Sequence, residues 1–405
     1  MSIFKLLALG CSIAGVLAAE SSSTQRNSSS TANGNAVDKI VFENVGYTGY
    51  YYDVESYTDL TSDDCSCKLD KSFTVFEGTN APLNEELSVH LRGPISLKGF
   101  GYYVSDDLSK GTWQRKAYYN SSSQTADNVT FLVNGGEFSP CVGHALTYAS
   151  SNGTGIASSA TILEDDNLVE SNEEYTIMSS VKCGSSGALN DCGYYREGIA
   201  AYHGFYGDIK MFLFEFEMPE ATDDKDTTYH NMPAIWFLNA KIPRTSQYNA
   251  NTSCSCWASG CGELDIFEVL NSTKPLQLDS TIHDFQGTDD IQNGLEATDY
   301  FERDTSGVMR GGVVFGNDRT ITVFMEDSMD IKESLSASEV QQWIDYGSAM
   351  GLKSLSSVSM DTSTTSASAT ASGSSSSKKS DGTLSSPTSL WFSAVTLVLL
   401  SLLYL

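Results

Sequence analysis

The stretch Gly262-Glu263-Leu264-Asp265-Ile266-Phe267-Glu268-Val269-Leu270 decides the fold, because three carboxylates stand at E-x-D-x-x-E spacing inside an apolar run that predicts a buried β-strand. Side chains of a regular strand alternate between faces, so Glu268 would leave the face shared by Glu263 and Asp265 and enter the core. Burying an unpaired carboxylate there is strongly unfavourable. A β-bulge near Ile266 and Phe267 adds one residue to the strand, which returns Glu268 to the face of Glu263 and Asp265. The sequence therefore predicts that the three carboxylates line one face and that the opposite, apolar row packs on a second sheet.

Two glutamates on the concave face of a curved sheet suit retaining glycoside hydrolysis, which needs carboxyl groups about 5–5.5 Å apart. In this hypothesis Glu263 is the nucleophile and Glu268 is the general acid/base. Asp265 orients Glu263 and separates the pKa values of the two glutamates. A solvated acidic strand face is the alternative that the hexapeptide alone leaves open.

The neighbouring sequence carries a family resemblance. Residues 256–268 (CWASGCGELDIFE) resemble the W-P-A-S-G-E-I-D-I-M-E signature of laminarinase-type β-glucanases, glycoside hydrolase family 16. Residues 232–238 (MPAIWFL) resemble that family's W-P-A-x-W-M-L strand, residues 206–219 resemble its Y-G…R-I-K-L-P strand, and residues 280–283 (STIH) match a strand with a cleft-facing histidine. The chain departs from the family pattern at Cys261, which is inserted, and at Met232, which replaces a tryptophan.

A narrower resemblance covers nearly the whole mature chain. Residues 81–94 (APLNEELSVHLRGP) and 125–131 (TADNVTF) resemble fungal GPI-anchored cell-wall proteins of the Tos/Toh type. The two resemblances together imply a jelly-roll, concanavalin-like β-sandwich, a cell-wall location, and endo-β-1,3-glucanase or transglycosylase activity. A non-catalytic wall protein that binds glucan is the alternative function.

Aromatic residues beside the carboxylates are candidates for sugar contact. Flat rings complement the apolar faces of glucose units, which favours Trp257 and Trp236, although either ring could instead belong to the core. His283 could bind sugar hydroxyls or be a satisfied core histidine. The remaining predicted substrate-binding residues are Tyr206, Phe285 and Gln286.

Composition along the chain predicts its organisation. An apolar run after Lys5 is typical of a signal peptide, and the apolar run 390–405 after small residues is typical of a GPI-attachment signal. At about 16 residues this tail is short for a transmembrane helix, the alternative, which needs about 20. The predicted segments are a signal peptide 1–19, a disordered linker 20–38, an N-terminal accessory β module 39–105, a glucanase-like β-sandwich 106–350, a Ser/Thr-rich stalk 351–389 and a GPI-signal tail 390–405. The accessory module could bind sugar, complete the sandwich or do neither.

The secondary-structure signals are mostly those of strands. Short apolar runs between Gly, Asn and Asp predict an all-β protein. The predicted strands are 40–42, 73–76, 87–91, 100–104, 175–181, 211–218, 234–238, 263–269, 280–283 and 320–324. A capping box at Ser336-Ala337-Ser338-Glu339 predicts one helix, which carries Val340, Trp343 and Ile344.

Cysteine usage fits an oxidising compartment. Eight cysteines remain once Cys11 leaves with the signal peptide, and an even set predicts disulfides. Each C-x-C pair, 65/67 and 254/256, is expected to bond to distant partners because its members point the same way when extended, whereas Cys183 and Cys192 suit a local bridge. A bridge through Cys254, Cys256 or Cys261 would brace the loop before the catalytic strand. Zinc is the alternative, but no histidine stands near either C-x-C at zinc-ligand spacing. Calcium is possible on such a sandwich, but no residues mark its ligands, so no metal site and no cofactor is predicted.

The charge balance limits the possible partners. A net charge of −27 argues against nucleic acid and against anionic membrane surfaces, because both require basic patches. Neutral β-1,3-glucan of the wall is the expected partner, with membrane contact through the GPI lipid only and a monomeric protein. Six N-x-S/T sequons are expected at the surface if glycosylated: Asn27, Asn120, Asn128, Asn152, Asn251 and Asn271.

Overall fold

Alternating apolar side chains build most of the chain into antiparallel strands. A computed structural model describes residues 34–70, 73–245, 254–345 and 350–357. The predicted signal peptide, most of the linker, nearly all of the stalk and the GPI-signal tail lie outside these residues, as do Asn27 and Asn251. The strands, in chain order, are β1 Lys39–Glu43, β2 Gly49–Tyr51, β3 Val54–Thr58, β4 Ser66–Leu69, β5 Thr74–Phe76, β6 Leu87–Arg92, β7 Ser96–Val104, β8 Thr112–Asn120, β9 Thr125–Asp127, β10 Thr130–Ser139, β11 Gly143–Ala149, β12 Ile156–Ala157, β13 Glu174–Met178, β14 Lys210–Glu217, β15 Ala234–Asn239, β16 Glu263–Glu268, β17 Gln277–His283, β18 Leu295–Glu296, β19 Phe301–Glu302, β20 Met309–Phe315, β21 Thr320–Met325, β22 Ser334–Ser336 and β23 Met350–Ser354.

The strands form two large sheets and two small pairs. The first sheet runs β22-β8-β7-β14-β20-β21-β1-β23, with β9 beside β8. The second runs β12-β11-β10-β13-β6-β15-β16-β17-β18, with β19 beside β17. Strands β2 and β5 pair with each other, as do β3 and β4. Among the pairings between these named strands, only β1–β23 is parallel.

The main core lies between the two large sheets. On β14, Phe212, Phe214 and Phe216 alternate with Leu213, Glu215 and Glu217, so the phenylalanines share one face. Phe212 meets Phe237 of β15 with ring centres 4.6 Å apart, and Phe216 stacks on Phe267 of β16 at 5.6 Å. These contacts join the inner faces of the two sheets. The prediction of an all-β sandwich is therefore confirmed.

Strands from the region before residue 105 lie inside both sheets. β6 lies between β13 and β15, β7 lies between β8 and β14, and β1 lies between β21 and β23. β7 and β8, on either side of residue 105, are hydrogen-bonded neighbours. Strands β1, β6 and β7 of this region are thus part of the two large sheets, whereas β2 to β5 form the two small pairs.

In the part of the chain that the structure describes, three short helices accompany the sheets: α1 Lys241–Thr245, a 3₁₀ helix Cys256–Ser259 and α2 Ala337–Asp345. The predicted capping box opens α2. The backbone N–H of Glu339 donates to Ser336 Oγ at 3.2 Å, and the N–H of Ser336 donates to Glu339 Oε2 at 2.8 Å. Within the described ranges, no helix has the length and apolar character needed to cross a bilayer.

Candidate active site

Strand β16 contains the predicted bulge. Against β15, Phe267 pairs with Ile235 and Asp265 pairs with Trp236, which leaves Ile266 as the additional residue. The two consecutive residues Ile266 and Phe267 both enter the main core, together with Leu264 and Val269. The carbonyl of Ile266 accepts a 2.7 Å hydrogen bond from Ser280 Oγ, so a backbone group displaced from the ladder keeps a partner. The prediction of a bulge at Ile266 and Phe267 is confirmed.

Strand register places the three carboxylates on the face that turns away from the main core. Residues directly opposite one another on neighbouring strands share a face. Successive pairings trace three rows across this carboxylate face: Ser88–Leu238–Glu263–His283; Thr176–His90–Trp236–Asp265–Thr281–Glu296; and Glu174–Arg92–Ala234–Glu268–Asp279. Each carboxylate of the motif thus stands in its own row, with different neighbours.

Glu263, in the first row, is contacted by the indole of Trp257. The indole N–H donates a short hydrogen bond to Glu263 Oε2. Trp257 lies in the 3₁₀ helix, where Ser255 caps its backbone N–H and the disulfide Cys256–Cys261 closes the segment. The helix ends at Gly260, whose φ of 93° lies in the left-handed region that favours glycine. The Trp257 donor is therefore held by a cap and a covalent bridge.

Asp265, in the second row, is contacted by His283. His283 Nε2 lies 3.0 Å from Asp265 Oδ2, and His283 Nδ1 lies 2.7 Å from the carbonyl oxygen of Ile291. Because a carbonyl oxygen can only accept, Nδ1 must carry a proton. The ring and carboxyl therefore pair either as imidazolium with carboxylate or as neutral imidazole with carboxylic acid. In both forms His283 fixes the orientation of Asp265.

Glu268, in the third row, stands among charged groups. Arg92 Nη2 donates to Glu268 Oε1 at 3.1 Å, with both side chains almost buried. Burial raises the pKa of Glu174 to about 7, with Arg92 acting to lower it and Glu268 acting to raise it. Burial and then the charges of Glu296 and Glu268 raise the pKa of Asp279 to about 7. Glu174 and Asp279, the two outer carboxyl groups of this row, therefore ionise only near neutral pH.

A second apolar cluster covers much of the carboxylate face. Tyr47, Tyr51 and Phe76 pack with Trp236 and Leu238 of β15, and Trp257 and Phe285 lie at the edge of this cluster. Glu263 and Asp265 are each 1% exposed and Glu268 is 6% exposed. Glu174 and Asp279, the outer carboxyl groups of the third row, in contrast are partly exposed. The carboxylate face is therefore more open around the third row than around the first.

The other predicted substrate residues lie in different surroundings. Trp236 stacks on His90 with ring centres 5.3 Å apart and is buried, whereas Trp257 is half-buried. Phe285 is half-buried and packs beside Gly260. Gln286 is fully buried: its Oε1 accepts from Gly46 N at 2.8 Å, and its Nε2 donates to the carbonyls of Asn44 and Ser356.

Tyr206 lies apart from these residues. It is 61% exposed, and its carbonyl oxygen accepts a hydrogen bond from the hydroxyl of Tyr102. Both tyrosines line a cavity of about 370 Å³ with Phe205 and Val181, and none of the three carboxylates lines that cavity.

Sequence reasoning missed Arg92 and Glu174. Nothing in the local pattern around either residue marks it for the site. Their positions follow only from the register of β13, β6 and β15, which places them in one row with Glu268.

The eight cysteines that the structure describes form four disulfides: Cys65–Cys141, Cys67–Cys254, Cys183–Cys192 and Cys256–Cys261. The local bridge and the distant partners of Cys65, Cys67 and Cys254 are confirmed. The expectation of a distant partner for Cys256 is wrong, because the 3₁₀ helix turns the chain and brings Cys261 to a Cα separation of 5.6 Å. The cluster of Cys183, Cys192 and His203 has the spacing of a metal site, but its two thiols are bonded to each other.

The described sequons differ in exposure. Asn152 and Asn271 are exposed, whereas Asn120 and Asn128 are half-buried. Asn271 follows the carboxylate strand β16 by three residues. Glycosylation at these positions stays a prediction.

Two family descriptions match the chain. "Cell wall protein YJL171C/Tos1, N-terminal" matches residues 38–105, and "Cell wall protein YJL171C/Tos1, C-terminal" matches residues 111–343. Together they span nearly all of the described sandwich, and they confirm the Tos-type resemblance.

Named relatives resemble most of the chain. The "probable circularly permuted 1,3-beta-glucanase PGA52" of Candida albicans is 48% identical over 376 residues, covering 91% of this chain and 95% of the relative. The "probable circularly permuted 1,3-beta-glucanase YJL171C" of Saccharomyces cerevisiae is 50% identical over 311 residues, covering 75% and 78%. The "probable circularly permuted 1,3-beta-glucanase TOS1" of the same yeast is 32% identical over 431 residues, covering 76% and 90%. No solved structure matches the chain significantly.

Proposed function

Since the chain belongs to the YJL171C/Tos1 cell wall protein family, we propose that it is a glycosidase-type enzyme acting on β-1,3-glucan of the cell wall. The names of its relatives as probable 1,3-β-glucanases support this substrate class. The observation that carries the proposal is the bulge in β16, which turns Glu263, Asp265 and Glu268 to one face.

The proposed reaction is an endo-acting double displacement with retention of the anomeric configuration. Glu263 attacks the anomeric carbon while Glu268 protonates the departing glycosidic oxygen, which gives a glycosyl-enzyme and a shortened glucan. Glu268 then removes a proton from an incoming hydroxyl group, which attacks the anomeric carbon and releases Glu263. Asp265, oriented by His283, stands between the two glutamates on β16 and keeps their protonation states different.

The incoming hydroxyl group decides whether the enzyme hydrolyses or transfers. Water gives hydrolysis, and the end of another glucan chain gives transglycosylation. The slight exposure of Glu263 and Glu268 favours transfer, because a covered site admits little bulk water while a bound sugar brings its own hydroxyl.

A glucan-binding wall protein without catalysis is the second candidate. It is favoured by the same slight exposure, because Glu263 under Trp257 could be a structural carboxylate that holds the covering segment in place.

Incubation of the purified ectodomain with laminarin and with labelled laminari-oligosaccharide acceptors separates these functions. Shorter sugars indicate hydrolysis and longer labelled sugars indicate transfer. Binding of laminarin without any new product supports the binding protein and contradicts catalysis. Proton NMR of the first products reads the anomer, and an inverted anomer would contradict the roles given to the two glutamates.

We further propose that the protein acts as a monomer at the cell surface, held by a GPI lipid, with no nucleic-acid partner. Its net charge of −27 supports the last point. Release of the native protein from membranes by phosphatidylinositol-specific phospholipase C tests the anchor.

A further inference from the structure

We propose that Arg92 is a positioning residue for Glu268 and that it favours the carboxylate form in which Glu268 acts as a general base. This inference rests on the proposed function, because it assigns a second reaction step to Glu268. It concerns the third row of the carboxylate face, which the E-x-D-x-x-E motif does not describe.

Arg92 reaches Glu268 across an intervening strand. Arg92 belongs to β6 and Glu268 to β16, and Ala234 of β15 stands in register with both. Because alanine carries only a methyl group, the arginine side chain can pass over β15 and bring Nη2 to 3.1 Å from Glu268 Oε1. A larger side chain at position 234 would stand in this path.

The guanidinium of Arg92 is held from two further directions. Its Nε donates to the carbonyl of Met232 at 2.9 Å, and its Cζ lies 4.6 Å from the ring centre of Tyr229. A planar guanidinium that is bonded on one edge and covered by an aromatic ring keeps its remaining N–H groups in a defined direction. Arg92 therefore restricts where the Glu268 carboxylate can lie.

The other charges near Glu268 are mostly negative. Glu174 on β13 faces Arg92, Asp279 on β17 faces Glu268, and Asp265 precedes Glu268 on β16. Farther out, Glu296 raises and Lys274 lowers the pKa of Asp279. Arg92 is the one cation in the described row. Below pH 7 the Glu174 carboxyl group is largely protonated, so the positive charge of Arg92 acts mainly on Glu268. Above pH 7 Glu174 is ionised, and its negative charge also attracts the Arg92 guanidinium.

The ion pair has opposite effects on the two reaction steps. An arginine beside a carboxyl group favours ionisation. Proton donation in the first step needs the neutral acid, so Arg92 works against that step. Proton removal in the second step needs the carboxylate, so Arg92 assists it. Loss of the arginine charge should raise the pKa of Glu268 and slow the release of the glycosyl-enzyme.

The pH dependence of kcat/KM on a laminari-oligosaccharide tests this role. On the alkaline side of the profile, kcat/KM falls because the acid catalyst loses its proton; this fall is the alkaline limb. Arg92→Gln should move the alkaline limb to higher pH by about one unit, which is the size of effect that an adjacent opposite charge produces. Arg92→Lys keeps the charge and should leave the limb near that of the wild type. Glu174→Gln removes the competing negative charge and should move the limb downward, by less.

Two further variants test whether a shift of the alkaline limb comes from the ion pair and not from a disturbed fold. Ala234→Val keeps both charges but blocks the path of the arginine, and it should also move the limb upward. Arg310→Gln breaks a 2.9 Å ion pair with Glu215 on the other large sheet and should leave the limb unchanged. An alkaline limb that stays in place in Arg92→Gln, or that moves downward, overturns the proposal.

Carbon-13 NMR of labelled glutamate carboxyl groups in the full chain separates this inference from the proposed function. The Glu268 signal is assigned by its loss in Glu268→Gln. If the wild type cleaves no glucan but Arg92→Gln raises the titration midpoint of Glu268, the proposed function fails and the positioning contact stands. If the enzyme is active and that midpoint does not move, the inference fails alone.

Discussion

The two glutamates of strand β16 differ in what surrounds them. Glu263 is nearly sealed and is contacted by a neutral donor, Trp257, on a segment closed by a disulfide. Glu268 lies in a row with one arginine and two further carboxyl groups, at the more open side of the same face. A nucleophile must keep one charge state and one position, whereas an acid/base must exchange protons in every turnover. The contrast supports giving Glu263 the first role and Glu268 the second.

The sharpest way to break this comparison is to remove the nucleophile. Glu263→Gln keeps an acceptor for the indole of Trp257 but cannot form the glycosyl-enzyme, so activity on laminarin should fall about 10⁴-fold or more, as for loss of other essential catalytic groups. Product formation measured by reducing-end assay and mass spectrometry checks this, and circular dichroism verifies the fold.

The matched variant is Glu268→Gln. It should lose about 10²–10⁴-fold on laminarin, the usual contribution of acid/base catalysis. On an aryl glycoside, whose leaving group needs no proton, the rate of the first step should fall far less. If Glu263→Gln and Glu268→Gln lost activity equally on laminarin and on the aryl glycoside, the two glutamates would not have the different roles assigned to them.

Trp257→Phe tests the neutral donor at the Glu263 end. The substitution keeps an aromatic ring and removes the indole N–H, so the Glu263 carboxylate loses a charge-assisted hydrogen bond of about 1.5–3 kcal/mol. We expect kcat/KM to fall by about 10–100-fold and the acid limb of the pH profile to move upward, because the pKa of Glu263 rises. An unchanged acid limb would mean that the indole does not tune Glu263.

Two disulfides allow the effects on activity and on stability to be separated. Cys256 and Cys261 are 5 residues apart, and Cys67 and Cys254 are 187 apart. Paired Cys→Ser variants should lower the free energy of unfolding by about 2 and about 5 kcal/mol, respectively, because the entropy of loop closure grows with loop length. The short bridge holds Trp257, so its loss should reduce activity more at a temperature where both variants are folded. Denaturant unfolding and laminarin assays measure the two effects, and a reversed order of activities would contradict this assignment.

The smallest expected effect concerns the stability of the third row with pH. The folded protein raises the pKa of Glu174 and of Asp279 to about 7, so between their ordinary values and pH 7 the folded state binds more protons than the unfolded state. Their contribution to stability is complete at low pH and is lost as the pH rises through 7. The midpoint of thermal unfolding should therefore fall across this interval, and less steeply in Glu174→Gln. A steeper fall in that variant would show that other groups dominate.

Much of this site could be predicted from one strand. Because side chains alternate along β16, the three carboxylates can share a face only if the strand contains a bulge. That bulge was predicted from the spacing of the carboxylates. Strand β20 was missed because Gly311 and Gly312 suggest a turn, whereas a Cβ at Gly312 would lie 2.4 Å from the carbonyl oxygen of Phe212 on the next strand. Those glycines reflect close packing of backbones, which a single sequence does not reveal.

The partners of the carboxylates could not be predicted, for a related reason. Arg92 stands 176 residues before Glu268, and only the order of strands in the sheet brings them together. The same is true of Tyr47 and Tyr51, which pack with Trp236 and Leu238 although nothing in their local sequence indicates that contact. Local periodicity predicts strands and faces, but neighbours across a sheet depend on topology.

Gln286 gives the fold a mechanical property. Its side-chain amide joins Asn44 and Gly46, after β1, to Ser356, after β23, and it follows His283, the partner of Asp265, by three residues. Tension applied to the chain beyond residue 357 would load this amide and the parallel β1–β23 ladder before it reached the rest of the sandwich. A protein tethered through that end and pulled by a growing polymer would thus feel the force close to the histidine that orients Asp265.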